Sequence, residues 1–446
     1  MEFVTDYRTE RYAIDTQWAS LPASVQTHAK MCGIDLLGAL VLGSYGNQFA
    51  AGRRLVESVG MAGEVPVIGG GKRYHLLGAA IAMGHASNSF DIDDGHRMIC
   101  GHPGTSFVAG VLAAALQRNV TCREYLTTLT VCYELSIRWA LAMQNHYGYL
   151  HSTGAYGAFG TAAGVGRLLG LDQEQLNTAL SIADYHAPMS PVMRAVEYPS
   201  MNKDGVPFGA LVGTMAVLET LSGSTGKTHL LEMPQYAGYL EDLGSTYHIL
   251  ELYFKPYTCC RWAHQPILAC QQLMRQYGVD SAQVQRVRVN TFRSAARLSK
   301  IVPHSTDEAQ YNIAFPVASA IVYGDVGYAQ VREEALSDPA VLEMMQRLEF
   351  TVDPELERQF PAKRLARVEM TLTDGRTLRS GVCEAPGEPE DPELGLDWIQ
   401  KKFRRVTGLM LAPAAQDRLL QMLTEDMDTP VRELVEYVNA NRKEPL

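Results

Sequence analysis

From Pro22 to about Asn441 the apolar residues recur at every third or fourth position, except in one region where they alternate. Val25, Ala29, Cys32, Leu36, Leu40 and Gly43 mark the first buried stripe, a spacing that predicts a helix. Helical spacing returns over 76–90, 105–117, 123–143, 153–169, 172–183, 206–221 and 266–277, so the first 280 residues read as almost wholly α. Gly154, Gly157, Gly160 and Gly164 make the 153–169 helix thin, which suits close packing at the centre of a bundle.

Near Val284 the period changes to two: Val287, Val289 and Thr291 alternate with polar residues, as in a half-buried strand. The stretches 367–373 and 377–382 also alternate and meet at Asp374-Gly375, a hairpin turn. Helical segments at 307–323 and 338–348 lie between these strands. An acidic, proline-spaced stretch, 384–393, precedes final helices at 396–406, 414–425 and 429–441. The pattern predicts a mainly α protein with a large all-helical domain, built from residues 1–265 and 395–446. A smaller α+β domain, 266–394, is inserted between the two parts.

Composition narrows the function. The 446 residues are 46% hydrophobic and 20% charged, which is a globular chain with a large core. A net charge of −10 offers no footprint for a nucleic-acid backbone, so a small anion must be met by a few cations converging on one pocket. The opening Met1-Glu2-Phe3-Val4-Thr5-Asp6 lacks the basic start and apolar run of a signal peptide, and the apolar stretch 107–116 is too short for a bilayer. A cytoplasmic location with no membrane partner is expected. Eight cysteines without CxxC spacing are expected to be reduced and mostly buried. Gly226-Lys227-Thr228 and Gly69-Gly70-Gly71-Lys72 lack the strand that precedes a phosphate loop and read as turns.

The chemistry concentrates elsewhere. Asp91, Asp93 and Asp94 crowd three carboxylates into four positions beside an apolar helix, followed by His96 and Gly101-His102-Pro103-Gly104. Such crowding is costly unless the charges are used or neutralised. His102, His151, Lys203 and His264 each stand at the start of a helix, where free N–H groups and the helix dipole favour anions. With Lys255, Arg261 and Arg194 they suggest a pocket for a substrate bearing several carboxylates. A carboxylate base among such cations can take a proton next to a substrate carboxylate. Asp91, Asp93, Asp94, His96 and His102 could equally hold a divalent metal for hydrolysis, and spacing leaves that alternative open.

The run from Gly84-His85-Ala86 through Phe90-Asp91-Ile92-Asp93-Asp94, with Gly101-His102-Pro103-Gly104, resembles the signature of the 2-methylcitrate dehydratase (MmgE/PrpD) family. His151-Ser152-Thr153-Gly154, Ser200-Met201-Asn202-Lys203 and Lys255-Pro256-Tyr257 with Cys260 and His264 resemble further blocks in the same order. The resemblance covers nearly the whole chain. It implies a helical domain with an α+β domain over the cleft, a homodimer, and chemistry with neither cofactor nor metal. It implies catalytic roles for Asp91, His102, His151 and Lys203, and places His264 in a late motif at the domain junction. Two positions depart from the pattern: Gly95 stands where many members carry threonine, and Asn202 where dehydratase-like members often carry a bulky aromatic. The expected activity is a hydro-lyase on a citrate-like polycarboxylate, with a decarboxylase of cis-aconitate type or an epimerase of iminodisuccinate type as alternatives. A non-catalytic binder of such acids remains a third reading, opposed by the presence of a potential base at Asp91.

Overall fold

The computed structural model describes residues 6–443, so Met1–Thr5, the start of the segment read above as no leader, lies outside the described residues. The helix Thr153–Leu169 forms the centre of the helical part and packs against Pro103–Arg118, Cys122–Tyr147 and Val206–Leu221. Its glycines permit this. A Cβ on Gly154 would lie 2.1 Å from the carbonyl oxygen of Gly205, so the turn before Val206 can reach the start of the central helix only because the side chain is absent.

The alternating region forms a five-stranded sheet. Val284–Thr291 lies between Leu348–Val352, parallel to it, and Leu365–Leu372, antiparallel to it; Thr377–Arg379 and Cys383–Glu384 also pair with Leu365–Leu372. The hairpin at Asp374-Gly375 is present, with Met370 opposite Leu378. The expected helix 338–348 ends at Met345, and Leu348 begins an edge strand in its place. The expected helix 307–323 is broken into Thr306–Gln310 and Ala314–Tyr323. That break turns Gln310 and Tyr311 inward, which matters below.

The chain then returns to the helical part. Leu396–Thr407 packs on Ala23–Gly43, and the Lys402 ammonium, buried, bonds to the Asp35 carboxylate and donates to the Ile92 carbonyl at 2.6 Å. The helix Leu396–Thr407 therefore supports the aspartate segment through Lys402. All eight cysteines are free, seven of them buried and Cys100 partly exposed. Among the described residues no helix is long and apolar enough to cross a membrane.

Candidate active site

The aspartate segment begins where the helix Leu76–Ser87 runs out. Asp91 adopts a left-handed backbone (φ 50°), uncommon for a residue with a side chain and a mark of local strain. Asp94–His96 then pairs antiparallel with Leu252–Phe254, setting Asp94 opposite Phe254, and this register delivers the next residue, Lys255, to the carboxylates. The Lys255 ammonium lies 2.7 Å from Asp91 Oδ1, 2.9 Å from the Asp91 carbonyl and 3.8 Å from Asp93 Oδ1, fully buried.

His102 stands immediately before the helix Pro103–Arg118. Its Nδ1 lies 3.0 Å from the Asp94 carbonyl and 3.2 Å from Asp93 Oδ2, while Nε2 sits 3.7 Å from Asp91 Oδ1. Burial and the Lys255 charge oppose protonation of this ring, but Asp93 and Asp91 outweigh them and raise its pKa above the usual 6.5. Asp93 also accepts from Asn88 Nδ2 at 2.7 Å and from the Thr105 hydroxyl at 3.3 Å. Burial works against its ionisation, yet Lys255 and His102 hold its carboxyl well below the usual range. Asp94 is pushed up to about 7 by burial and by the charge of Asp93; it accepts from the Tyr133 hydroxyl and from the Gly104 N–H.

Asp91 and His102 face a cavity of about 280 Å³ that is also lined by Asp204, Tyr253, Tyr311 and Arg364. A second cavity of about 570 Å³ shares Ala195, Asp204 and Tyr311 with the first and contains Lys203, Asn202 and Arg194. The short helix Met193–Glu197 contributes residues to both and stands between them.

The sequence expectation of one pocket ringed by cations needs correction. Two of the four helix N-termini are capped by the chain's own acids, Asp94 on Gly104 and Asp204 on Thr153, so the anions they attract are already present. Lys203 lines the larger cavity; its ammonium bonds to Gln310 and lies 3.3 Å from Asp307. Lys255 is taken up by Asp91. Arg261 reaches the smaller cavity but is clamped by Glu388 at 2.8 Å and the Pro386 carbonyl at 2.9 Å. His264 lines neither cavity: its Nε2 donates to the Cys259 carbonyl at 3.0 Å, and Nδ1 lies 3.4 Å from Arg261. Burial keeps its pKa well below the usual value, so it acts as a neutral support for Arg261. Arg194 is exposed on the rim of the larger cavity. His151 is buried between the two, with Leu150 lining one and Ser152 the other, and its ring packs on Tyr149, centroids 4.6 Å apart.

Asp204, Tyr253, Tyr311 and Arg364 line the cavity and escaped the sequence reading. Asp204 is buried, its Oδ2 capping Thr153 at 2.8 Å while Oδ1 has no partner, and burial pushes it up to about 6. Its place in Lys203-Asp204-Gly205 looked like a helix cap, which it is, and only the third dimension shows the second oxygen. Tyr311 hid inside the apolar spacing of the expected helix 307–323. Arg364 stands in Lys363-Arg364, which resembles an ordinary solvated basic pair.

The metal alternative for Asp91, Asp93 and His102 meets a geometric obstacle. Their ligand atoms do lie within 4.8 Å of one another, but the Lys255 ammonium already sits against both carboxylates, where a divalent ion would have to bind. Glu10, His229 and Glu232, and separately His96, His248 and Glu251, also cluster, and each of these groups contains its own histidine–glutamate hydrogen bonds.

These features define a helical enzyme fold with an acid–base cluster at a small buried cavity. Residues 8–246 match the MmgE/PrpD N-terminal domain and residues 257–426 the MmgE/PrpD C-terminal domain, and the chain belongs to the MmgE/PrpD family. It is 24% identical to a cis-aconitate decarboxylase-like protein, oryM, of Aspergillus oryzae over 94% of each chain. It is 23% identical to the cis-aconitate decarboxylase of Aspergillus terreus, over 86% of this chain and 85% of that one. With the human cis-aconitate decarboxylase the identity is 22%, over 78% of this chain and 77% of that protein.

Proposed function

We propose that the protein is a cofactor-independent lyase, a hydro-lyase that takes a proton next to a carboxylate of a citrate-like acid and expels a β-hydroxyl. The observation that carries this reading is the pairing of Asp91 with His102 at one cavity wall. Asp91 Oδ1 is fixed by Lys255 while Oδ2, buried, has no partner; His102 holds its proton through Asp93. Asp91 Oδ2 accepts the proton from the carbon next to the carboxylate, and the C–H electron pair forms the double bond as the C–O bond breaks. His102 passes its proton to the departing hydroxyl, which leaves as water. The 3.7 Å between His102 Nε2 and Asp91 Oδ1 provides a short return route for the proton.

Decarboxylation is the second reading, favoured by the names of the relatives: the same cluster would protonate the carbanion left by loss of carbon dioxide. Incubation with citrate, 2-methylcitrate, cis-aconitate and iminodisuccinate in heavy water, followed by mass spectrometry and proton NMR, separates the outcomes. Loss of water supports the hydro-lyase, loss of carbon dioxide the decarboxylase, and deuterium uptake into otherwise intact substrate an epimerase; inertness towards all four overturns the enzyme reading.

A homodimer is part of the proposal. Phe208, Met215 and Leu221 are exposed along Val206–Leu221, with Leu211 and Leu218 partly exposed on the same helix, an apolar face that a second copy could cover. Light scattering on the purified chain tests it, a monomeric mass being the contrary result.

A further inference from the structure

Tyr253 is a buried phenol among cations. The guanidinium carbon of Arg261 stands 4.7 Å from the centre of its ring and that of Arg364 5.2 Å, and Lys255 follows two residues along the chain. Glu388 answers part of this charge: it accepts from Arg261 at 2.8 Å, and its charge also acts on Arg364. Guanidinium and ammonium groups are donors only, so none of the three cations can take the phenol's proton. Burial pushes the phenol pKa above its usual 10 against the pull of Arg364, Lys255 and Arg261, so the hydroxyl keeps a proton to donate.

The position of that hydroxyl is set by the strand pair. Gly95 and Tyr253 are directly opposite each other and so share a face, and Tyr253 lines the cavity that Asp91 and His102 also line. A Cβ on Gly95 would lie 2.3 Å from the Tyr253 hydroxyl oxygen, so the phenol reaches across to the strand that carries Asp94. The chain thus delivers, from Leu252–Phe254, a hydroxyl to the room left by the glycine at position 95.

We propose that the Tyr253 hydroxyl donates a hydrogen bond to a carboxylate oxygen of the substrate, and that this bond tightens as negative charge builds there when the neighbouring carbon loses its proton. This rests on the reading of the same cavity as the reaction site. A neutral O–H donor suits the task, because its bond strengthens as the acceptor gains charge and it needs no counter-ion while the cavity is empty. The cations around the ring make the O–H a stronger donor, and burial stops it from ionising.

The test compares the full wild-type chain with Tyr253→Phe, which keeps the ring beside both guanidinium groups and removes only the hydroxyl. For any acid among citrate, 2-methylcitrate, cis-aconitate and iminodisuccinate that the wild type converts, kcat/KM should fall about a hundredfold, with kcat alone falling about tenfold. Calorimetry with the unreactive propane-1,2,3-tricarboxylate should show binding about tenfold weaker. The urea midpoint should stay unchanged, whereas a tyrosine with a purely structural role would move the midpoint and leave kcat alone. Gly95→Thr combined with Tyr253→Ala returns a hydroxyl from the opposite strand and should recover part of the kcat lost in Tyr253→Ala, a second route that does not depend on the phenylalanine variant. Unchanged kcat/KM in Tyr253→Phe, where the wild type converts an acid, overturns this inference alone. A wild type that converts none of the four acids, with tricarboxylate binding still weakened in Tyr253→Phe, overturns the lyase reading alone. Equal tricarboxylate affinity in the two proteins, or binding to neither, overturns the hydrogen bond to a carboxylate whatever the turnover.

Discussion

The Tyr253 ring fills the space that any side chain on Gly95 would need. The two residues are opposite each other in the short antiparallel pair, and a Cβ on Gly95 would lie 2.3 Å from both the Cζ and the hydroxyl of Tyr253. Tyr253 lines the cavity, so the glycine that departs from the family pattern and the phenol beside it form one structural unit. Gly95→Thr alone should displace the ring, lowering stability by about 1–3 kcal/mol and reducing turnover. In the double variant with Tyr253→Ala the stability loss should be smaller than the sum of the two single losses, because the clash is removed. Urea denaturation of the four proteins measures the coupling; strict additivity would show that the two side-chain volumes do not compete.

Asp91 and Lys255 should separate chemistry from stability. Asp91→Asn keeps the shape and removes the proposed base, so turnover should fall about a hundredfold or more with a modest change in ligand affinity. Lys255→Met leaves Asp91 and Asp93 buried with no ammonium and should cost about 3–5 kcal/mol of folding stability. Near-normal turnover in Asp91→Asn would transfer the base role to another group, with Asp204 and its unpartnered Oδ1 next in line.

The helices were legible because their buried stripes are periodic and long: the central helix and Val206–Leu221 run between the very residues the spacing marks. The aspartate–histidine cluster was legible because its members are close in sequence. What spacing cannot show is which charges cancel. Lys255, Arg261 and Lys203 are cations in sequence but are matched in space by Asp91, Glu388 and Asp307, residues up to 164 positions away. Arg364 is the reverse case, an ordinary basic residue in sequence that folding buries on the cavity wall against the Tyr253 ring. The Leu348–Val352 strand was missed for a similar reason, since its pairing to Val284–Thr291 is set by the sheet and not by its own short pattern.

The pH profile follows from His102. Its folded pKa is raised above the unfolded 6.5, so the imidazolium contributes stability below 6.5 and loses it as pH rises through the folded value. In the proposed role of proton donor it must stay charged, so kcat/KM should decline as pH rises through the raised folded value, and His102→Gln should remove that limb along with most of the rate. A rate that climbs as pH passes from 6.5 upwards would mean that the neutral ring acts as a base.

Asp204 gives a stability effect of opposite origin. Its carboxyl is pushed from 3.8 up to about 6 by burial, so the folded state binds the proton more tightly than the unfolded chain does. Stability on this account falls as pH rises from about 4 towards 6. Asp204→Asn keeps an oxygen to cap the Thr153 N–H and has no charge to bury, so the variant should show a flatter dependence over that window. Urea midpoints at pH 4.5, 5.5 and 6.5 measure it, and parallel curves for the two proteins would count against the burial of this charge.

Treatment with a chelator should leave activity intact. The Lys255 ammonium lies 2.7 Å from Asp91 and 3.8 Å from Asp93, so these carboxylates already have a cation that the chain itself supplies. A divalent ion there would face like-charge repulsion from Lys255 and from the protonated His102. The arrangement predicts full turnover after exhaustive dialysis against EDTA, with metal content checked by elemental analysis. It also predicts that Lys255→Ala, by vacating that place, exposes the Asp91, Asp93 and His102 ligand set and allows zinc or manganese to bind where the native protein does not. Activity that disappears on chelation and returns with one divalent ion would reverse the assignment: Lys255 would then have to move aside in the working enzyme, and Asp91 would be a ligand in place of a base.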